Sequence, residues 1–574
     1  MKKLLRYMGA YKLESVLGPL FKLLEATFEL IVPLVVASII DVGIEGQNKP
    51  HIWRMCLILV ALALIGLICS ITAQFFAAKA SVGFATKLRH VLFAHVQTLS
   101  NSDIDRLGTS TLITRMTSDI NQVQSGVNLA LRLLLRSPFV VFGAMIMAFT
   151  VDVRSAWTFA VIIPLLCIVV FGIMLISIPL YRKVQAALDR VLGITRENLV
   201  GVRVLRAFGK QKAETAEFDR RNEDLTAMQK HVGRISALMN PVTFLMINLA
   251  VIALVWIGAL QVRDDVLSQG EVVALYSYMS QILVELIKMA SLIISMTKAA
   301  ACGSRIQKIL EVTPSQTFPT TPVTPDPTAD AISFSHVGLT YEGAGEASLH
   351  DISFAAARGE TVGIIGGTGS GKTSLVSLIP RFYDATEGEI RLGGIPVGEY
   401  PVDQLRAAVG TVPQKAVLFH GTVRDNLRFG RADATDEEIG RALEISQAAE
   451  FVNRPEIGLD YMIEQGGRNL SGGQRQRLTI ARALAKRPEI LILDDSASAL
   501  DYATDAALRM ALKRISEETT VFIVSQRTSS IMHADLIIVL DDGEAVGYGT
   551  HDELINDCEV YKEIYRSQFG GEAN

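Results

Sequence analysis

A chain of 574 residues, 49% hydrophobic and 20% charged, is long enough for several domains and too apolar to lie wholly in water. Its net charge of −4 supplies no field to gather nucleic acid. The cysteines, Cys56, Cys69, Cys167, Cys302 and Cys558, have neither metal-ligand nor disulfide spacing, which speaks against a disulfide-framed secreted protein and fits a reducing, cytosol-facing one.

The N-terminus, MKKLLRYMGAYKLESVLGPLF, starts basic but has no small-residue cleavage site behind a compact apolar core. It reads as a short amphipathic helix on the membrane surface leading into a first span, and not as a secretory signal. Apolar segments long enough to cross a bilayer follow near residues 16–42, 55–78, 130–152, 155–181, 238–262 and 272–297. The connections 43–54, 152–155 and 262–271 are short and hold few basic residues. Those at 79–129 and 182–237 are long and basic, the second carrying Arg182, Lys183, Arg190, Arg196, Arg203, Arg206, Lys210 and Lys212 among others. This bias puts both long loops and both termini in the cytoplasm. Helical periodicity continues past the lipid boundary, as in ALDRVLGITRENLVGVRVLRAF, so the spans are expected to run on into the cytosol and meet at short turns. Residues 1–310 are thus expected to form an all-α, six-span transmembrane domain of a multi-pass cell-membrane protein.

Away from their ends, these spans hold three carboxylates. Glu25 and Glu29 share a face of the first, and Glu285 in the sixth lies three residues from Lys288. A charge at membrane depth faces a cavity or a partner. Glu25 reads as snorkelling to the interface or as pathway-lining, and Glu285–Lys288 as a structural pair or a functional one. Glu29, deeper and one turn from Pro33, is the better candidate for lining a pathway and attracting organic cations.

Residues 311–330, EVTPSQTFPTTPVTPDPTAD, repeat proline, which removes backbone donors and favours extended chain; they read as a linker. From 331 to 574, strand-like runs such as TVGIIG, EILILD, TVFIVS and LIIVL alternate with amphipathic helices, the pattern of a water-soluble α/β domain. Gly366, Gly367, Thr368, Gly369, Ser370, Gly371, Lys372 and Thr373 spell G-x-x-x-x-G-K-[ST] between an apolar strand and a helix that continues through Ser374. Glycines let successive N–H groups turn inward around phosphate. Lys372 then reaches the β/γ-phosphates of ATP and the Thr373 hydroxyl ligates Mg²⁺. Asp494, at the end of the strand ILIL, is the natural further partner of that ion, and Asp495 follows it directly.

The most diagnostic stretch is NLSGGQRQRLTIARAL. With the phosphate cradle, it makes the second half resemble the nucleotide-binding domain of ABC transporters, an α/β P-loop ATPase. Leu470, Ser471, Gly472, Gly473 and Gln474 match the signature loop, and Gln414 in TVPQ the Q-loop, which implies a place near Mg²⁺ and the attacking water. Tyr341 in GLTYEG matches the aromatic that stacks on adenine. Ser498 to Asp501 match the D-loop, and Ile463 to Gly467 loosely match the cross-talk loop. Ser-Gly-Gly opening a helix is a second anion-binding terminus in a chain whose own phosphate is already cradled. It more naturally serves a nucleotide held by another subunit, the head-to-tail dimer that the family implies. The first half is similar to the exporter class, and LSNSDIDRLGTSTLITRMTSDINQVQ and ENLVGVRVLRAFGKQ resemble the segments that dock on the ATPase domain.

Two positions depart from the family. The carboxylate after the Walker B Asp is normally a Glu that orients or deprotonates water; here it is Asp495, shorter by one methylene, about 1.3 Å, and misplacement on that scale costs on the order of 10²-fold in rate. The switch position in TVFIVSQRTSS, normally His, is Gln526, an amide that donates a hydrogen bond but carries no proton. The expectation is therefore a site that binds ATP and hydrolyses it slowly, beside an intact signature loop serving a homologous half-transporter with Glu and His. The resemblance is nearest to bacterial heterodimeric multidrug exporters, with a small amphipathic or cationic substrate. The alternatives left open are a lipid or lipopeptide flippase of the same architecture, and an ATP-gated regulatory membrane protein with little turnover.

Overall fold

The computed structural model describes residues 2–515 and 519–569. They fall into two compact units: one takes in the chain up to 97 together with 110–312, the other 98–109 and everything from 313 on.

In the first unit, six helical stretches are long and apolar enough to cross a membrane: Lys3–Glu45, Lys49–Thr98, Thr109–Val151, Val153–Val200, Gln211–Arg263 and Gln269–Leu310. At about 1.5 Å per residue the Lys49–Thr98 stretch is about 75 Å long, against about 30 Å of hydrocarbon, so the extension beyond the lipid is large. The third predicted span overruns its helix by one residue, Asp152. That side chain instead accepts from the Ser155 N–H at 2.7 Å and caps the fourth. The core gathers Ala26, Leu30, Ala144, Ala148, Phe159, Tyr278 and Ile282, all buried. Small residues permit close approach of the first two spans: a Cβ on Gly18 would lie 3.4 Å from the Ala77 nitrogen. Trp53, Trp157 and Trp256 stay exposed, as aromatic residues of a membrane-facing surface do.

Glu29 is not a lone carboxylate, contrary to the expectation of a free cation-attracting group. Arg136, only 7% exposed, bridges it (2.5 Å) to Glu285, which is 3% exposed. Glu285 also accepts from Ser137 at 2.8 Å and from Lys288 at 3.0 Å. Glu25 pairs with the buried Lys22 at 2.6 Å. Lys22, Arg136 and Lys288 thus balance Glu25, Glu29 and Glu285 inside the unit, as the low dielectric of a membrane demands.

In the second unit a six-stranded sheet carries the chemistry. Its strands are β1 (Thr361–Gly366), β2 (Val409–Val412), β3 (Ile490–Asp494), β4 (Thr520–Val524), β5 (Leu536–Asp541) and β6 (Glu544–Gly549), in the spatial order β6-β5-β1-β4-β3-β2. All neighbours are parallel except the β5–β6 hairpin. β3 reads Ile-Leu-Ile-Leu-Asp and is buried on both faces, hence its unbroken apolar run. A second, antiparallel sheet of Leu349–Ala356, Ile332–Leu339, Glu387–Leu392 and Ile395–Pro396 packs into the same core through Phe334, Ile352 and Ile390. In a parallel sheet the strand ends converge on one edge, and ligands bind there. The ends of β1, β3 and β4 deliver Gly366, Asp494 and Val524 to that edge.

Candidate nucleotide site

β1 ends at Gly366, and the loop Gly367–Gly371 turns into helix α1 (Lys372–Leu378). Gly371 has φ 92°, and a Cβ there would meet the Ser348 carbonyl at 2.8 Å, so this turn requires glycine. Lys372 is 9% exposed, and its ammonium turns back onto neutral loop oxygens, donating to Gly366 O at 3.0 Å, to Gly367 O and to Ser370 Oγ at 3.3 Å. Burial pushes its pKa down, against the charges of Asp495 and Asp494. A buried cation held mainly by carbonyls is suited to a polyphosphate, which supplies the missing counter-charge.

Opposite the loop, Asp494 at the end of β3 accepts from the Thr373 hydroxyl at 3.1 Å. Burial raises the Asp494 pKa and the Asp495 charge adds to this, the Thr373 bond and Lys372 opposing. A carboxylate and a hydroxyl already side by side, where burial disfavours an unpaired negative charge, fit a hard divalent cation such as Mg²⁺. Asp495 follows in a left-handed conformation, φ 46°, fixed by its N–H to the Val524 carbonyl of β4 at 3.0 Å. Its carboxylate accepts from the Gln414 amide at 3.3 Å.

Thr368, Gly369, Gly371, Lys372, Thr373, Ser374, Gln414, Asp494, Asp495 and Gln526 all line one cavity of about 730 Å³, within the roughly 300–1,000 Å³ usual for small-ligand sites. Val524 and Ser525 at the end of β4 also line it, and the sequence reading missed two further walls, Ala344–Ser348 and Asp542–Gly543. Two short glycine-bearing turns were the only signal. They meet because the His350 N–H donates to the Gly543 carbonyl at 2.9 Å, a contact across almost two hundred residues.

Tyr341 stands outside the cavity lining. Its hydroxyl donates to Ser374 at 3.0 Å, and its ring meets Tyr383 edge-on at 5.0 Å. Ser471–Gln474 do not line the cavity either. Ser471 caps helix α2 (Gly472–Ala485), accepting from the Gln474 N–H at 3.3 Å while Gln474 accepts from the Ser471 N–H at 2.9 Å. The D-loop lies against this terminus: a Cβ on Gly473 would sit 3.2 Å from the Ala499 carbonyl.

Two family descriptions match this arrangement, "ABC transporter transmembrane region" over residues 15–286 and "ABC transporter" over 349–498. The uncharacterised ABC transporter ATP-binding protein YfiB of Bacillus subtilis is 35% identical over the whole of both chains. This chain belongs to the ABC transporters. Among other relatives of this ABC protein, a probable multidrug resistance ABC transporter, YheI of Bacillus subtilis, is 34% identical over 84% of this chain and 82% of its own. An ATP-dependent lipid A-core flippase of Vibrio vulnificus is 28% identical over 99% and 97%. The fold is that of a bacterial Atm1-family ABC exporter with ATP bound, with a TM-score of 0.80 at 22% identity over 98% of this chain and 99% of that one. The ABC transporter is thus an exporter-type half-transporter: six membrane helices, a cytoplasmic ATPase domain, and ATP hydrolysis coupled to transport.

In this half-transporter residues 98–109, the tip of the first cytoplasmic loop, group with the ATPase domain. Asp103 accepts from the Ser315 N–H at 3.0 Å, Asp105 accepts from the Tyr383 hydroxyl at 2.6 Å, and Arg106 pairs with Glu342 at 3.1 Å. Tyr383 and Glu342 flank Tyr341, so the loop tip is tied to the residues beside the glycine loop.

Proposed function

We propose that this chain is one half of a heterodimeric exporter, holding MgATP at a site of low turnover and lending Ser471–Gln474 to the hydrolytic site of a homologous partner. The observation that carries the reading is that Asp495 and Gln526 line the same cavity as Lys372, Thr373 and Asp494. These are the two positions at which the family places Glu and His. Gly366–Ser374 bind the phosphates, with Tyr341 toward the base. Thr373, Asp494 and Gln414 hold Mg²⁺, whose charge offsets that of the phosphates. Asp495 is left to orient water with a side chain one methylene short. Gln526 donates a hydrogen bond and exchanges no proton.

An exposed apolar tip supports a second chain. The short helix Val202–Ala207 buries none of its residues, and Leu199, Val200, Val204 and Phe208 around it are strongly exposed. Apolar clusters on a cytoplasmic loop mark an interaction surface. The balanced charges around Arg136 support an amphipathic substrate: with Glu29 already neutralised, such a molecule suits the membrane unit better than a strongly cationic one. The flippase relative supports a second reading, in which that amphiphile is a lipid. Native mass spectrometry of the complex isolated from its own membranes tests the pairing. One copy of this chain with one homologue bearing Glu and His is the expected result; two copies of this chain would refute it.

A further inference from the structure

The C-terminal helix α4 (Glu559–Phe569) is seated on the ATPase core by Tyr561, which is fully buried with Ile531, Ile537 and Leu554 around it. Near its end Gln568 reaches the switch segment with both ends of its amide. Its Oε1 accepts from the Thr528 N–H at 2.8 Å and from the Thr528 hydroxyl at 2.9 Å, and its Nε2 donates to the Gln526 carbonyl at 2.7 Å. Donor and acceptor are used in the one orientation that satisfies all three groups. Thr528 is fully buried and opens helix α3 (Thr528–Ile531), whose N-cap residue, Arg527, supplies no side-chain cap. Gln568 fills that place from forty residues away.

Other restraints on this stretch are local or lie on either side of the Gln526 carbonyl. The Ser525 N–H is tied to Ile364 of β1 at 3.1 Å, and the Arg527 N–H to the Ser525 hydroxyl at 3.0 Å. The Arg527 guanidinium lies over the Tyr502 ring at 5.2 Å. Apart from the Gln568 bond, no hydrogen bond holds the Gln526 carbonyl or side chain among the described residues. The peptide joining Gln526 to Arg527 is therefore held at its N–H by Ser525 and at its carbonyl by Gln568, and the Gln568 bond is the one that comes from outside the switch segment.

We infer that Gln568 is a positioning residue for ATP hydrolysis, holding the Gln526–Thr528 backbone from the C-terminal helix so that the Gln526 side chain is presented to the bound nucleotide. The inference rests on the reading of Gln526 as the switch residue. Replacing Gln568 with Ala removes all three bonds. Replacing it with Glu keeps the acceptor for Thr528 but sets a carboxylate against the Gln526 carbonyl, so both variants disturb the same peptide while Glu retains the cap.

The test is single-turnover ATP hydrolysis by the full-length chain in its assembled complex, the homologous partner carrying Gln in place of its catalytic Glu so that only this chain's site is read, with MgATP affinity measured in parallel, for Gln526→Ala, Gln568→Ala, Gln568→Glu and the Gln526→Ala/Gln568→Ala pair. The expected result is a several-fold lower rate constant in each single variant with MgATP affinity within twofold of wild type, and no further loss in the pair. A merely structural role predicts instead that Gln568→Ala weakens affinity or thermal stability and that Gln568→Glu, with its cap kept, behaves as wild type; that pattern overturns the inference. If Gln526→Ala slows the reaction and Gln568→Ala does not, or their losses multiply, the inference fails while the reading of Gln526 stands. If Gln526→Ala leaves the rate unchanged, the switch reading fails and takes this inference with it.

Discussion

Replacing Arg136 with Met should destabilise the membrane unit far more than deleting an exposed ion pair would. Arg136 is 7% exposed and holds Glu285, 3% exposed, while Glu29 stays partly exposed. Removing one partner of a buried pair costs roughly 3–5 kcal/mol, because the remaining charge is left in low dielectric. Lys288 and Ser137 still serve Glu285, which argues for the lower end, about 3 kcal/mol or on the order of 10 °C in thermal midpoint. The tryptophans, Trp53, Trp157 and Trp256, all belong to the membrane unit, so tryptophan emission excited beyond the tyrosine absorption band, followed during heating of the detergent-solubilised full-length chain, reports on that unit. Arg136→Met/Glu285→Leu, which removes both buried charges, should recover much of the loss, since apolar replacement of a whole buried pair is often close to neutral. The reasoning is refuted if the single variant melts within about 2 °C of wild type, or if the double variant melts no higher than the single.

Asp494→Asn should raise the stability of the nucleotide-free protein at neutral pH. Burial and Asp495 raise the folded-state pKa of Asp494, so its favourable contribution is complete below the ordinary Asp value and is lost as pH rises through the raised one. The Asn variant's advantage should accordingly vanish in acid, and Mg²⁺ should no longer add to stabilisation by ATP; calorimetry at several pH values checks both. Tyr383→Phe, which deletes the bond to Asp105, should leave basal ATP hydrolysis near wild type while reducing its stimulation by transported substrate, measured in proteoliposomes.

Legibility followed sequence distance. The phosphate loop, Thr373 and Ser374 are contiguous, and the strand before them announces itself by an apolar run, so residues alone placed them. Asp494 was legible as the end of an apolar strand, whereas Asp495 and Gln526 were singled out by resemblance to the family's motifs; all three line the cavity where parallel strands end. Arg136 was overlooked: in LALRLLLRSPF it looks like the end of a span, and the partners that draw it inward lie 107 and 149 residues away. Glu29 was consequently read as free. Asp542–Gly543 and Ala344–Ser348 carry no motif, since they contribute shape and backbone to the cavity. Gln568 was invisible for a related reason: its role is a long-range bond to a backbone carbonyl, which leaves no pattern in the chain that accepts it. The grouping of residues 98–109 with the ATPase domain likewise rests on individual long-range contacts, Asp103 with Ser315, Asp105 with Tyr383 and Arg106 with Glu342, between segments whose periodicities are unremarkable.

The most direct test of the low-turnover pocket is the rate of a single round of ATP hydrolysis at saturating Mg²⁺, comparing the full-length wild-type chain with Asp495→Glu/Gln526→His. With the longer carboxylate and a titratable ring restored, the rate constant should rise on the order of 10²-fold while ATP affinity changes little. A wild-type chain that already hydrolyses as fast as the double variant would contradict the slow site, and with it the asymmetric pair.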